Sequence, residues 1–158
     1  SRPVHWIDSL TMIRTASDHG PTYVKLHPAQ TPQTTAAVQA LAAQTPNITL
    51  STASIHDLIA ASDITLTQNS AAGFEALLQK KPVITCARAD YHHATIQAHT
   101  AAALTEALTT APARENTFAF DRYLYWFLGL NLLEPGKPDI TPRLRGILDP
   151  VAGQGAGG

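Results

Sequence analysis

Three kinds of side chain stand where a phosphate and its sugar could be held: an imidazole at His27, a small-residue run Asn69-Ser70-Ala71-Ala72-Gly73, and a carboxylate at Glu75. His27 could give a ring N–H to a phosphate oxygen, and Pro28 stiffens the backbone behind it. Small residues at 69–73 let an anion approach the main chain where a helix begins, and a helix start presents unpaired N–H groups and the positive end of its dipole. Glu75 has two carboxylate oxygens, which suit the vicinal hydroxyls of a ribose. Arg88 could neutralise a phosphate or a sugar carboxylate, or serve only as a solvated loop arginine. Singly, each residue also fits plainer chemistry: His-Pro as a turn, Asn-Ser as a helix cap, Glu as a complement to the helix dipole.

The cluster Asp90-Tyr91-His92-His93 invites a metal or acid–base reading. Its His-His pair lacks matched carboxylate spacing, so it is read as a surface loop and no metal is assigned. His5, His19, His56 and His99 share no spacing that argues for ligation.

Holding these groups takes a fold with strand ends and helix starts close together, and the patterning supplies one. Ile7, Leu10, Met12 and Ile13 recur at helical spacing behind Asp8 or Ser9, and the pattern gives way at His19-Gly20-Pro21. "TYVKLHP" then alternates like a strand, and "PQTTAAVQALAAQTP" carries Ala37, Val38, Leu41 and Ala42 on one helical stripe. "NITL" is a strand, Ser54 caps "IHDLIAAS" with Asp57 three residues on, and "DITLT" is a strand. "AAGFEALLQ" is a helix with Glu75 near its start and Phe74, Leu77 and Leu78 facing inward, and "PVITCA" closes the series. Short apolar strands alternating with helices predict an open, doubly wound parallel sheet of the Rossmann-like α/β class. Beyond it come a polar, His-rich stretch, a modest helix "AAALTEALTTA" and an aromatic helix within "TFAFDRYLYWFLGLNLL". Phe120, Tyr123, Leu124, Phe127, Leu128 and Leu132 form one broad apolar face of that helix. "EPGKPDITPRLRGILDP" reads as an irregular close. The expected organisation is one domain over residues 1–150 and a disordered tail over 151–158.

Bulk composition narrows the partners. With 158 residues, a net charge of −1 and no basic cluster, the chain offers no electrostatic footprint for nucleic acid or an anionic membrane surface. The lone Cys86 cannot form an internal disulfide and reads as a small buried hydrophobe. No stretch approaches the length of a membrane span, and the N-terminus lacks a signal-type apolar core, so a soluble, cytoplasmic chain cut from something longer is expected.

Taken together, "VKLHP" and "NITLSTASIHDLIAASDITLTQNSAAGFEALLQKKPVITCARADYHH" resemble the capsule polysaccharide biosynthesis family, which includes Kdo transferases that use a CMP-activated sugar acid. The resemblance runs over about residues 22–93: His-Pro, a helix followed by an Asp-led strand, Asn-Ser with Glu-Ala, Lys-Pro-Val, and a Tyr. It implies the nucleotide-binding half of a GT-B glycosyltransferase, with "RYLYWFLGLNLL" as a compatible aromatic C-terminal helix. On that footing His27 would contact the CMP phosphate, Asn69 and Ser70 would line phosphate and ribose, Glu75 would hold ribose hydroxyls, and Tyr91 would lie near the nucleotide mouth.

GT-B chemistry takes place between two lobes, and about 20 residues before the first strand leave no room for an acceptor lobe. No catalytic residue is therefore assigned, the fragment alone is expected to be inactive, and no cofactor or metal is expected. The expected partners are a CMP-sugar, foremost CMP-Kdo, and a glycan or glycolipid acceptor met through the missing lobe. Peripheral association with an assembly complex at the inner membrane is what the resemblance implies. Two other readings stand beside this one: a UDP-sugar-binding half of a GT-B enzyme or epimerase, and a non-catalytic domain that docks a partner through residues 118–132.

Overall fold

The computed structural model describes residues 5–128, and the proline-punctuated close, Leu132 and the tail at 151–158 lie outside them. The described chain is a mixed α/β structure in which every strand pairing is parallel: α1 (Ser9–His19), β1 (Thr22–Val24), α2 (Pro32–Gln44), β2 (Ile48–Leu50), α3 (Ile55–Ala61), β3 (Thr65–Thr67), α4 (Ala71–Leu78), β4 (Val83–Thr85), β5 (Ile96–Gln97), α5 (Ala101–Thr110) and α6 (Phe120–Trp126). This is the Rossmann-like α/β class with an aromatic C-terminal helix, as the alternating pattern predicts.

Helix starts are written in the sequence as capping oxygens. Asp8, Thr31, Ser54, Ser70 and Thr100 stand in extended backbone, and each accepts an N–H from the first turn of α1, α2, α3, α4 and α5 respectively. At α3 the predicted pairing forms: Ser54 Oγ donates to Asp57 Oδ2 at 2.7 Å and accepts the Asp57 N–H at 3.1 Å. Pro32 opens α2, where a missing N–H costs nothing.

The strands form two ladders, β1–β2 and β3–β4–β5. β4 is the middle strand of the second and all three of its residues are buried, whereas Tyr23 of β1 is 64 % exposed, so the first ladder shows one face to solvent. Strands of three residues offer few ladder groups, and packing by α1 joins what hydrogen bonds do not. Met12 packs with Ile84, Cys86, Leu104 and Leu108 of one core, and its neighbour Ile13 packs with Val38, Leu41 and Ile48 of the other. Full burial of side chains such as Ile84, Leu77 and Leu104 stabilises the fold by about 1.5–3 kcal/mol each.

Four details differ from the sequence reading. Ile7 precedes α1 rather than joining it, and is buried because Trp6 and Ile7 both donate backbone N–H groups to the Cys86 carbonyl. Leu78, expected inward, is the last residue of α4 and is 47 % exposed. Glu75 is the fifth residue of α4 and so lies in its second turn. The polar stretch after Cys86 hides a strand, β5, whose Ile96 pairs with Ile84.

Phe120 ends one compact unit and Asp121 opens a second. Within the first, Arg114 lies 4.6 Å above the Phe118 ring, and Phe118 meets Phe120 edge to face. In the second, Tyr123 stands beside Trp126 and Phe127 at centroid distances of 6.0 and 5.7 Å, while Tyr125 is 76 % exposed. No helix among the described residues is long and apolar enough to cross a membrane.

Candidate functional site

Each candidate segment follows the carboxyl end of a parallel strand: His27 after β1, Asn69-Ser70 after β3, and Arg88 after β4. Parallel α/β proteins gather ligands at such ends, because the following helices aim their N–H groups there.

At the end of β1, the Ala29 N–H donates to His27 Nδ1 at 3.0 Å. An accepting Nδ1 puts the proton of the neutral ring on Nε2, and the exposed ring therefore offers a donor to solvent. Pro28 is exposed beside it, within a turn closed by the Gln30 N–H on the His27 carbonyl at 2.9 Å. Two residues earlier, Lys25 Nζ donates to the Ala53 carbonyl at 2.7 Å and fastens the end of β1 to the loop that leads into α3.

The β3–α4 turn is fixed by its own hydroxyls. Thr67 Oγ1 accepts the Ser70 N–H at 3.3 Å, and Ser70 Oγ accepts the Ala72 N–H at 3.3 Å. The Ser70 carbonyl accepts both the Gly73 N–H, at 3.0 Å, and the Tyr91 hydroxyl. The Ala71 N–H, at an exposed residue, has no partner among the described residues, and Asn69 beside it is also exposed. Gly73 is buried, and a Cβ there would stand 2.5 Å from the Tyr91 hydroxyl, so its missing side chain makes room for that phenol. Tyr91 is itself buried and braces the turn from behind, with Phe74 at 6.2 Å between ring centroids. Gln68, which sequence reasoning passed over, donates its side-chain amide to the Ile7 carbonyl at 2.9 Å and ties the same turn to the N-terminal segment.

Glu75 rises from the second turn of α4 toward α3. Its Oε2 is shut off from solvent without a hydrogen bond, and His56 Nδ1 stands 3.8 Å away. His56 was visible in the sequence only as an isolated histidine, since its partner sits on α4, the next helix after β3. The structure thus brings Asn69, Ser70, Ala71 and Gly73 together at one turn, with Tyr91 hydrogen-bonded to it and Glu75 farther along α4, whereas the hydrogen bonds of His27 are to its own turn, at Ala29 and Gln30.

Arg88 is exposed after β4. His92 Nδ1 lies 2.8 Å from the Ala89 carbonyl, and its ring meets His93 at 3.9 Å. Among the described residues no group of three or more His, Cys, Asp or Glu side chains could hold a metal. A separate cavity of ≈ 370 Å³ opens beside the ends of β1 and β2, lined by Val24, Lys25, Leu26, Gln39, Leu50, Ser51 and Thr52, and it includes none of the residues picked from the sequence.

Residues 8–126 match the family model described as capsule polysaccharide biosynthesis protein, a span that takes in every element from α1 to α6. The chain belongs to this family. Membership in the capsule polysaccharide biosynthesis proteins ties it to capsular polysaccharide synthesis, and the matched span contains all of the turns described above. No curated protein and no solved structure gives a significant match to the chain.

Proposed function

We propose that this chain is the CMP-sugar-binding lobe of a glycosyltransferase that builds capsular or surface polysaccharide, with CMP-Kdo as the donor. The observation that carries the reading is the placement of His27, Asn69-Ser70 and Arg88 just beyond the carboxyl ends of parallel strands. In this reading the His27 Nε2–H and the unpartnered Ala71 N–H meet the phosphate, where donors fixed in advance need no reorganisation. Asn69 and Ser70 line phosphate and ribose, Glu75 accepts from the ribose hydroxyls, and Arg88 balances phosphate or sugar-acid charge. Tyr91 and Gly73 support the turn rather than touch the nucleotide.

Isothermal titration of CMP tests this. Binding is expected to be tighter than for AMP, unchanged by a chelator, and weakened about tenfold or more by His27→Ala or Glu75→Ala, the loss that goes with a charge-assisted hydrogen bond. Equal affinity for CMP and AMP would overturn it. A UDP titration in the same series separates the UDP-sugar reading.

The exposure of Tyr125 and Trp126 on α6 favours a second reading, in which that helix docks a partner protein. Replacing both by Ala would then abolish association and leave nucleotide binding intact.

A further inference from the structure

Glu75 poses a physical problem that its ribose role alone does not solve. One of its carboxylate oxygens, Oε2, has been taken out of water with no hydrogen-bond donor, although the side chain as a whole is 33 % exposed. An ionised oxygen in that position is costly unless a donor or a positive charge faces it. The described group that does so is His56 of α3, whose Nδ1 is 3.8 Å away and whose side chain is otherwise 71 % exposed. That separation is within ion-pair reach and beyond a hydrogen bond, so a small side-chain movement lets the imidazole close on Oε2 and leaves the other carboxylate oxygen to a ligand hydroxyl.

His56 is also well anchored for this task. It is the second residue of α3, within the stretch closed by the Ser54–Asp57 cap, and the loop before that cap is held to the end of β1 by Lys25. Packing of α3 on α4 then sets its distance from Glu75.

We infer that His56 is a positioning residue for Glu75: it holds the carboxylate in the orientation that receives a vicinal diol, and so sets the preference of the site for ribose over deoxyribose. The inference rests on the nucleotide reading of the site, and its test has one arm that does not. In that arm, the ¹⁵N signals of the His56 ring are compared between the wild type and Glu75→Gln; a change at Nδ1 is expected, and unchanged signals overturn the pairing whatever the ligand.

The second arm titrates CMP and 2′-deoxy-CMP into the wild type, His56→Ala and His56→Asn. The wild type should favour CMP by about tenfold or more, as a hydrogen bond to a charged group implies. His56→Ala should bring the ratio of the two affinities close to one. His56→Asn, which keeps a donor near the position of Nδ1, should restore most of the ratio. A His56→Ala protein with the wild-type ratio overturns the inference. A wild type that binds CMP but ignores the 2′-hydroxyl removes the role of Glu75 and the inference with it, while a wild type that binds no nucleotide overturns the proposed function itself.

Discussion

Tyr91 and Gly73 fit together as plug and socket: a Cβ on Gly73 would meet the Tyr91 hydroxyl at 2.5 Å and two of its ring carbons at 2.9 Å, and that hydroxyl donates to the Ser70 carbonyl. The phenol cannot swing aside without leaving its acceptor. Gly73→Ala should therefore destabilise the domain by about 1–3 kcal/mol, the usual cost of overpacking. Tyr91→Phe should cost about 1 kcal/mol for the lost hydrogen bond. In the double variant the closest clashing atom is gone, so urea unfolding should show less than the sum of the two single losses.

The Thr85 and Thr95 hydroxyls form a second buried pair, 2.8 Å apart. Thr95 also donates to the His92 carbonyl at 3.0 Å, which leaves Thr85 as the donor between them. Removing the two hydroxyls is then unequal. Thr95→Val strands the Thr85 donor in the core and should cost about 1–3 kcal/mol, whereas Thr85→Val leaves Thr95 its bond to His92 and should cost about 1 kcal/mol. Equal losses in chemical denaturation would contradict this assignment of donor and acceptor.

Asp8 makes the first helix sensitive to acid. The Thr11 hydroxyl, then the Thr11 backbone N–H, hold its carboxyl below the ordinary value of 3.8. A folded-state value lowered in this way contributes stability above the unfolded value, and that contribution is lost as pH falls through the folded one. Asp8→Ala should cost about 1 kcal/mol at neutral pH as a lost cap. Its gap from the wild type should narrow below pH 3.8, as thermal melts across that range will show. Asp8→Asn should keep most of the cap.

Burial pushes the Cys86 thiol up to about 12, so at neutral pH it is protonated as well as inaccessible. Alkylation by iodoacetamide should be negligible in the native protein and should rise in step with unfolding in urea. Rapid labelling of folded protein would mean that the end of β4 opens locally.

Much of this architecture can be read from single residues, because caps and strand patterns are local. Asp8, Ser54 and the Asn69-Ser70 pair each announce a helix, and the buried Val83-Ile84-Thr85 run announces a central parallel strand. What escapes the sequence depends on neighbours brought from elsewhere. β5 holds two residues inside a polar, His-rich stretch, too few to show a period. The small size of Gly73 suggests an open approach for an anion, but the partner that fills its space is eighteen positions away at Tyr91. The bridging of the two ladders by α1, through Met12 and Ile13, likewise leaves no mark on the strands themselves. Of the candidate site, the turn at Asn69-Ser70 was legible as the start of α4, where Ser70 is the cap. His56 was not, because a contact between α3 and α4 creates its meaning.

The amide of Gln68 reaches back across 61 positions to the Ile7 carbonyl, and Ile7 in turn donates to Cys86. On a ribosome, which delivers the N-terminal part first, the turn after β3 emerges with its anchor already made but not yet moored. Only when Cys86 has left the exit tunnel does the whole latch engage. A nascent chain arrested shortly before that point would carry the turn's own hydroxyl bonds without its lateral restraint, and would acquire its final geometry within the next few residues of synthesis.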